Sequence, residues 1–76
     1  MSTELVTAFV ENVLRLMDEY QWTQKDLSEQ MEVTQSFVSQ VLTGKRTPGL
    51  EVVEKFAVAL DVSAVSLFVL QEQKIS

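Results

Sequence analysis

Apolar residues recur at intervals of three and four near the start of the chain, and this spacing constrains the fold more than any other feature. Between Met1 and Trp22 they fall at Leu5, Val6, Phe9, Val10, Val13, Leu14, Met17 and Tyr20. This period places them on one face of an α-helix, whereas a half-buried strand would alternate apolar and polar residues. The sequence therefore predicts a long amphipathic first helix.

Helix-capping residues divide the rest of the chain into shorter helices. Thr23 followed by Asp26 has the pattern of a capping box, and Thr34 is a second N-cap residue. A Thr47-Pro48-Gly49 turn then separates the third helix from the fourth, and Ser63 can cap a last helix. The later helices are predicted at about 23–31, 34–42, 50–60 and 63–70. The predicted fold is all-α: residues 1–76 form a single compact five-helix domain.

Size and composition exclude several functional classes. The chain has 76 residues, enough for one domain, and 46% of them are hydrophobic, enough for a core. It has no histidine or cysteine, so the commonest general base, the commonest nucleophile and most soft-metal ligands are missing. We therefore expect no enzyme activity, no metal or cofactor, and no small-molecule ligand. The lack of cysteine and of an apolar run long enough for a membrane span predicts a cytoplasmic protein.

The distribution of charge is uneven. The net charge is −5, which argues against general electrostatic attraction to nucleic acid but allows a local basic site. Residues 35–50 contain no carboxylate and include Lys45 and Arg46, while most of the acids lie before them. A surface that approaches phosphates must avoid carboxylates, and glutamine, serine and threonine form hydrogen bonds with base edges. This segment therefore indicates a DNA-binding surface, within which we expect Phe37 to be partly buried.

Several motifs, in order along the chain, carry a family resemblance. Two short capped helices at about 23–42 are joined by a tight turn at Glu32-Val33, the arrangement of a helix-turn-helix. The other matching segments are Thr23-Gln24, Leu27, Val33-Thr34-Gln35, Thr43-Gly44-Lys45-Arg46-Thr47-Pro48 and Phe56-Ala57-Val58-Ala59-Leu60 followed by Val62-Ser63. Over about Asp18–Phe68 the chain resembles the lambda-repressor/Cro-type (XRE-like) helix-turn-helix family. It departs from the family at Ser28, where alanine is usual, and at Glu32, where glycine is common. If the family's turn is kept, Glu32 is expected to lie near the left-handed region.

The resemblance implies a domain that places its third helix in the major groove of operator DNA. It assigns DNA contacts to Gln24, Thr34, Gln35, Ser36, Ser39, Gln40, Thr43, Lys45 and Arg46. On this analogy the polar side chains of the third helix contact base edges, while Gln24 and the residues from Thr43 onward hold the phosphate backbone. The plainer alternative is that Thr34 and Ser36 only cap a helix and that the two glutamines of the third helix are ordinary surface residues.

The last predicted helix is too apolar for a helix at the edge of a small domain. Such a helix buries one stripe against its own core, so part of the apolar set must face outward. The residues concerned are Val65, Phe68, Val69 and Leu70, with Ile75 as an addition. We predict a homodimer through residues of the segment 63–76, which would suit a palindromic operator. The alternative is a tail that folds back on the first helix and hides these side chains.

These observations favour a sequence-specific DNA-binding transcriptional regulator. The family resemblance suggests a phage Cro-like or repressor-like protein, or the controller of a restriction-modification operon. The competing hypothesis is an acidic protein-interaction module on the same fold, such as an antirepressor or an antitoxin-like partner. The acidic net charge favours this alternative.

Overall fold

The computed structural model describes residues 3–69, with side chains from residue 4 onward. Its elements are α1 (Thr3–Tyr20), α2 (Gln24–Met31), α3 (Gln35–Leu42), α4 (Leu50–Leu60) and a 3₁₀ helix (Val65–Phe68). No strand occurs in this part of the chain. The all-α prediction is thus confirmed, and the predicted positions of α1 to α4 agree with the structure to within one or two residues. Leu70 and Ile75 lie outside the described residues.

A single 3₁₀ turn stands where the sequence predicts a fifth α-helix, so the described residues contain four α-helices. The Ser66 backbone N–H donates to the side-chain oxygen of Ser63 (3.2 Å), and the Ser66 hydroxyl donates to the Ser63 carbonyl (2.7 Å). These contacts over three residues favour the tighter helix. The Leu67 carbonyl, which a longer α-helix would use, instead accepts from the buried Asn12 amide (2.8 Å). The backbone at Val69 is accordingly extended, with φ −72° and ψ 126°.

Aromatic side chains hold the core together at the junction of α1, α4 and the 3₁₀ helix. The rings of Phe9 and Phe56 are fully buried and meet edge to face, with centroids 5.2 Å apart. Phe68 stacks on the Phe9 ring at 5.7 Å. Leu27 of α2 and Val38 of α3 are fully buried in the same cluster. Because α2 and α3 bury their inner faces here, the outer face of α3 is left free for another role.

The buried face of α1 differs slightly from the predicted one. Phe9, Val13 and Met17 are buried as expected. The other predicted members that are more than a third exposed are Leu5, Leu14 and Tyr20. Positions 12 and 16 occupy the face instead, with Asn12 fully buried and Leu16 nearly so. A search for apolar residues alone finds most of this face but misses Asn12, because the Asn12 side chain is polar. Asn12 belongs there because its amide donates to the carbonyls of residues 67 and 69, at 2.8 and 2.9 Å.

The turn between α2 and α3 has the left-handed geometry that the resemblance predicts. Glu32 caps α2 with φ 60° and ψ 42°, and its N–H donates to the Glu29 carbonyl at 3.2 Å. The Val33 N–H donates to the Ser28 carbonyl at 3.0 Å, which closes the helix end. The other departure from the family, Ser28, is buried with its hydroxyl donating to the Lys25 carbonyl (2.8 Å), so it leaves no unsatisfied hydroxyl.

The left-handed conformation of Glu32 makes glycine the better residue at this position. A side chain with a Cβ pays a steric cost there that glycine avoids. We expect Glu32→Gly to raise the free energy of unfolding by about 1 kcal/mol, as measured by urea denaturation. Glu29→Gly, within the helix, is the matched control and should lower that free energy by about 1 kcal/mol. A fall in stability for Glu32→Gly would contradict the assigned strain.

Among residues 3–69, no helix combines the length and the apolarity that a bilayer-spanning segment needs.

Candidate nucleic-acid interface

The start of α2 is fixed by the capping box that the sequence predicts. The Thr23 N–H donates to the Asp26 carboxylate at 2.9 Å, and the Asp26 N–H donates to the Thr23 hydroxyl oxygen at 3.1 Å. The backbone donor of Thr23, followed by its side chain, lowers the pKa of Asp26, so the carboxylate stays ionised at neutral pH and the cap weakens only in acid. Gln24 lies in the first turn directly after the cap, half-buried, at the positive end of the helix dipole.

The start of α3 is also capped. The Thr34 hydroxyl oxygen accepts from the Phe37 N–H at 3.0 Å, so the predicted N-cap is confirmed. Gln35 and Ser36 follow in the first turn, both exposed, and this turn contains no acidic residue. The positive end of the α3 dipole is therefore not neutralised by a carboxylate of its own helix.

The polar side chains of α3 lie together on one side of the helix. Val38 and Val41 point into the core, and Phe37 is half-buried beside them, as predicted. At 3.6 residues per turn, five of the predicted contact residues occupy a continuous arc of roughly 140° on the opposite side of the helix. In order around the helix these are Gln35, Ser39, Thr43, Ser36 and Gln40. The arc forms an open polar surface, because Gln35, Thr43 and Ser36 are exposed. Ser39 and Gln40 are half-buried.

The loop after α3 turns back onto this helix. Gly44 adopts φ 84°, and two residues later the Arg46 N–H donates to the Gln40 carbonyl at 3.1 Å. The Arg46 Nε–H also donates to the side-chain oxygen of Gln40 at 3.2 Å, and its guanidinium carbon lies 5.2 Å from the centre of the Phe37 ring. Lys45, between Gly44 and Arg46, is exposed. The loop thus holds two cations beside the polar arc.

The predicted contact residue Thr43 already uses its hydroxyl hydrogen. That hydroxyl donates to the Ser39 carbonyl at 2.8 Å, at the last turn of α3. In this conformation the Thr43 hydroxyl oxygen is left as an acceptor, which suits a phosphate poorly and a base amino group better.

Positive charge near α3 is not balanced by local carboxylates. Arg15 pairs with Glu19 at 2.9 Å and Lys25 with Glu29 at 3.2 Å, each within one helix. Lys45 and Arg46 form no ion pair anywhere in residues 3–69. These two side chains therefore place positive charge beside the polar arc that no ion pair compensates.

The predicted dimer residues have different environments. Val65 is 76% exposed and Val69 is 53% exposed, so both are available for a contact outside the domain. Phe68 is half-buried, and its ring stacks on Phe9. Leu70 lies beyond the described residues.

Sequence reasoning missed two features of this region. One is the contact of Arg46 with Phe37 and Gln40, which depends on the path of the loop through Gly44. The other is the pairing of Asn12 with the C-terminal segment. The signal available for Asn12 was its position, since it lies between Phe9 and Leu16 on the buried face of α1.

Comparison with known proteins agrees with this geometry. A family model described as helix-turn-helix matches residues 13–67, which is more than half of the chain. The crystal structure of a hypothetical transcription factor, NHTF, from Neisseria superposes with a TM-score of 0.80 and 28% sequence identity, over 86% of this chain and 73% of that one. No curated protein sequence matches this chain. The chain belongs to the lambda-repressor/Cro-type (XRE-like) helix-turn-helix family.

Proposed function

We propose that this protein is a sequence-specific DNA-binding transcriptional regulator of the Cro or repressor type that inserts α3 into the major groove of operator DNA. The polar arc of α3 supports this proposal most strongly, because it is free of carboxylates and lies beside Lys45 and Arg46. The similarity to a structure described as a hypothetical transcription factor agrees with it. A helix of this kind, packed on its inner face and polar on its outer face, fits the width of the groove.

The position of each side chain suggests its role. Gln35, Ser36, Ser39 and Gln40 are proposed to contact base edges, since they share the outward arc of α3. Gln24 and Thr34, at the starts of two helices, are proposed to hold phosphates together with Lys45 and Arg46. Thr43 follows the last residue of α3, and its hydroxyl oxygen is proposed to accept from a base amino group, because its hydrogen is donated to the Ser39 carbonyl.

Binding of duplex DNA at two salt concentrations tests the proposed function. We expect wild-type protein to bind a labelled duplex, with an affinity that falls steeply between ~50 and ~200 mM salt because phosphate contacts release counterions. Fluorescence anisotropy gives both the affinity and the salt slope. Weak binding at both concentrations would instead favour the second candidate, an acidic interaction module, which the net charge of −5 supports.

Substitutions at Gln35 and Lys45 should separate base contacts from phosphate contacts. Gln35→Ala is expected to cost about 1–3 kcal/mol on the preferred site and to relax selection at one base pair. Lys45→Ala should weaken binding about equally on all sequences and lower the salt slope by about one unit. Site selection from a random duplex pool measures the first effect and a salt titration the second. Unchanged selection by Gln35→Ala would remove this residue from the proposed readout.

We also propose that the protein acts as a homodimer through the exposed apolar side chains after α4. Val65 and Val69 support this proposal, because apolar side chains with such exposure are common at interfaces. Two-fold pairing is the commonest arrangement of identical chains, and two α3 helices spaced ~34 Å apart would read a palindrome.

A charged residue at the proposed interface should produce monomers. We expect wild-type protein to sediment as a dimer at roughly tens of micromolar and Val69→Glu to sediment as a monomer, because a carboxylate cannot be buried at an apolar contact without a large cost. Val58→Glu adds the same charge to α4, at a side chain that is 81% exposed, and serves as the control. A monomeric wild type that binds a palindrome no better than a half-site would rule out the dimer.

A further inference from the structure

Arg46 makes three separate contacts with α3, although the sequence suggests only a phosphate-binding role for it. Its backbone N–H donates to the Gln40 carbonyl at 3.1 Å, which fixes the loop against the helix. Its Nε–H donates to the side-chain oxygen of Gln40 at 3.2 Å. Its guanidinium lies over the Phe37 ring, 5.2 Å from the ring centre, and Phe37 itself packs against the core. The Arg46 side chain therefore packs on the half-buried Phe37 ring and also donates a hydrogen bond to the Gln40 side-chain amide.

This geometry decides which end of the Gln40 amide faces the arginine. A guanidinium carries donors and no acceptor, so only the amide oxygen of Gln40 can face it. An unrestrained glutamine can rotate its amide by half a turn and offer either a donor or an acceptor to a base. Held by Arg46, Gln40 keeps its oxygen toward the loop and has its NH₂ group free to reach a base. The positive charge of Arg46 also disfavours the rotated amide, in which the NH₂ group of Gln40 would face the guanidinium.

We propose that Arg46 is a positioning residue for base readout, and that it restricts Gln40 to hydrogen-bond donation. This role rests on the proposed function, because it applies only if α3 reads bases. A glutamine that donates selects a base with an acceptor in the major groove, such as guanine or thymine. It discriminates against cytosine, which presents an amino donor at its edge. Arg46 thereby acts on specificity as well as on affinity.

Site selection by five proteins tests this role: wild type, Gln40→Ala, Arg46→Ala, Lys45→Ala and the double variant Gln40→Ala/Arg46→Ala. The two cation variants are matched in charge, and both side chains are exposed, although Arg46→Ala also removes the contact with the Phe37 ring. We expect Lys45→Ala to bind more weakly with an unchanged base preference. Arg46→Ala should bind more weakly and also lose about tenfold discrimination at the base pair that Gln40→Ala affects. In the double variant, Arg46→Ala should add no further loss of discrimination.

A measurement without DNA checks the contact itself. The NMR signals of the Gln40 side-chain amide should move in Arg46→Ala and stay in place in Lys45→Ala. If wild-type protein selects a site but Arg46→Ala and Lys45→Ala show the same base preference, the positioning role is wrong and the proposed function stands. If wild-type protein selects no site, the proposed function fails together with this role. Unchanged selection by Gln40→Ala also overturns the role.

Discussion

Ser39→Glu is expected to lower the affinity for duplex DNA by roughly a hundredfold or more, while the domain remains folded. Ser39 lies within the polar arc of α3, so the new carboxylate would face phosphates and base edges at close range. It would be repelled by the phosphates and would also lose its hydration on binding. Fluorescence anisotropy measures the affinity, and the thermal unfolding midpoint shows whether the fold is retained.

The control for this substitution places the same charge on another face. Val58→Glu adds a carboxylate at an exposed position of α4, close in sequence to Glu54 and Lys55. Its effect on DNA binding should be small, since the net charge changes equally but the α3 surface does not. If Ser39→Glu retained wild-type affinity, α3 would not be the DNA-binding surface.

Asn12→Ala is expected to lower the free energy of unfolding by about 2–4 kcal/mol, because two backbone carbonyls lose the amide that they share. In the wild type the fully buried Asn12 amide donates to the Leu67 carbonyl at 2.8 Å and to the Val69 carbonyl at 2.9 Å. Its loss leaves these acceptors without that donor and removes one of the contacts between α1 and the C-terminal segment. Urea denaturation monitored by circular dichroism measures the change.

Glu11→Ala is the matched control for this prediction. Glu11 precedes Asn12 on α1 but is exposed, so its replacement should change the stability by no more than about 0.5 kcal/mol. Equal stabilities for Asn12→Ala and Glu11→Ala would show that the amide does not hold the C-terminal segment in solution. A large loss in Asn12→Ala alone would connect the stability of the domain to the segment that carries the proposed dimer contacts.

Features that depend on neighbours three or four residues apart were predictable from the sequence. The Thr23–Asp26 capping box, the Thr34 cap and the ends of α4 all follow from such short-range patterns. The left-handed turn at Glu32 was also predicted, although there the warrant was the family resemblance and not the residue type. The polar arc of α3 followed from helical periodicity once the caps had set the helix boundaries.

Features that depend on contacts distant in sequence, or on the path of a loop, were not predictable. Asn12 pairs with carbonyls 55 and 57 residues away, at the point where the 3₁₀ helix ends. The propensity of residues 63–70 for a helix gives no sign of this pairing. Arg46 and Gln40 are only six residues apart, but their contact requires the chain reversal at Gly44. The distribution of charged residues along the sequence does not show this chain reversal, so it predicts only a phosphate-binding role for Arg46.

An NMR titration tests most directly whether α3 is the surface that contacts DNA. Uniformly ¹⁵N-labelled protein is titrated with the duplex selected from a random pool, and the backbone amide shifts are followed. We expect the largest changes at residues 34–46, with smaller changes in the first turn of α2, and little change along α4. Shifts confined to α1 and the 3₁₀ helix, or no shift at any amide, would contradict this account.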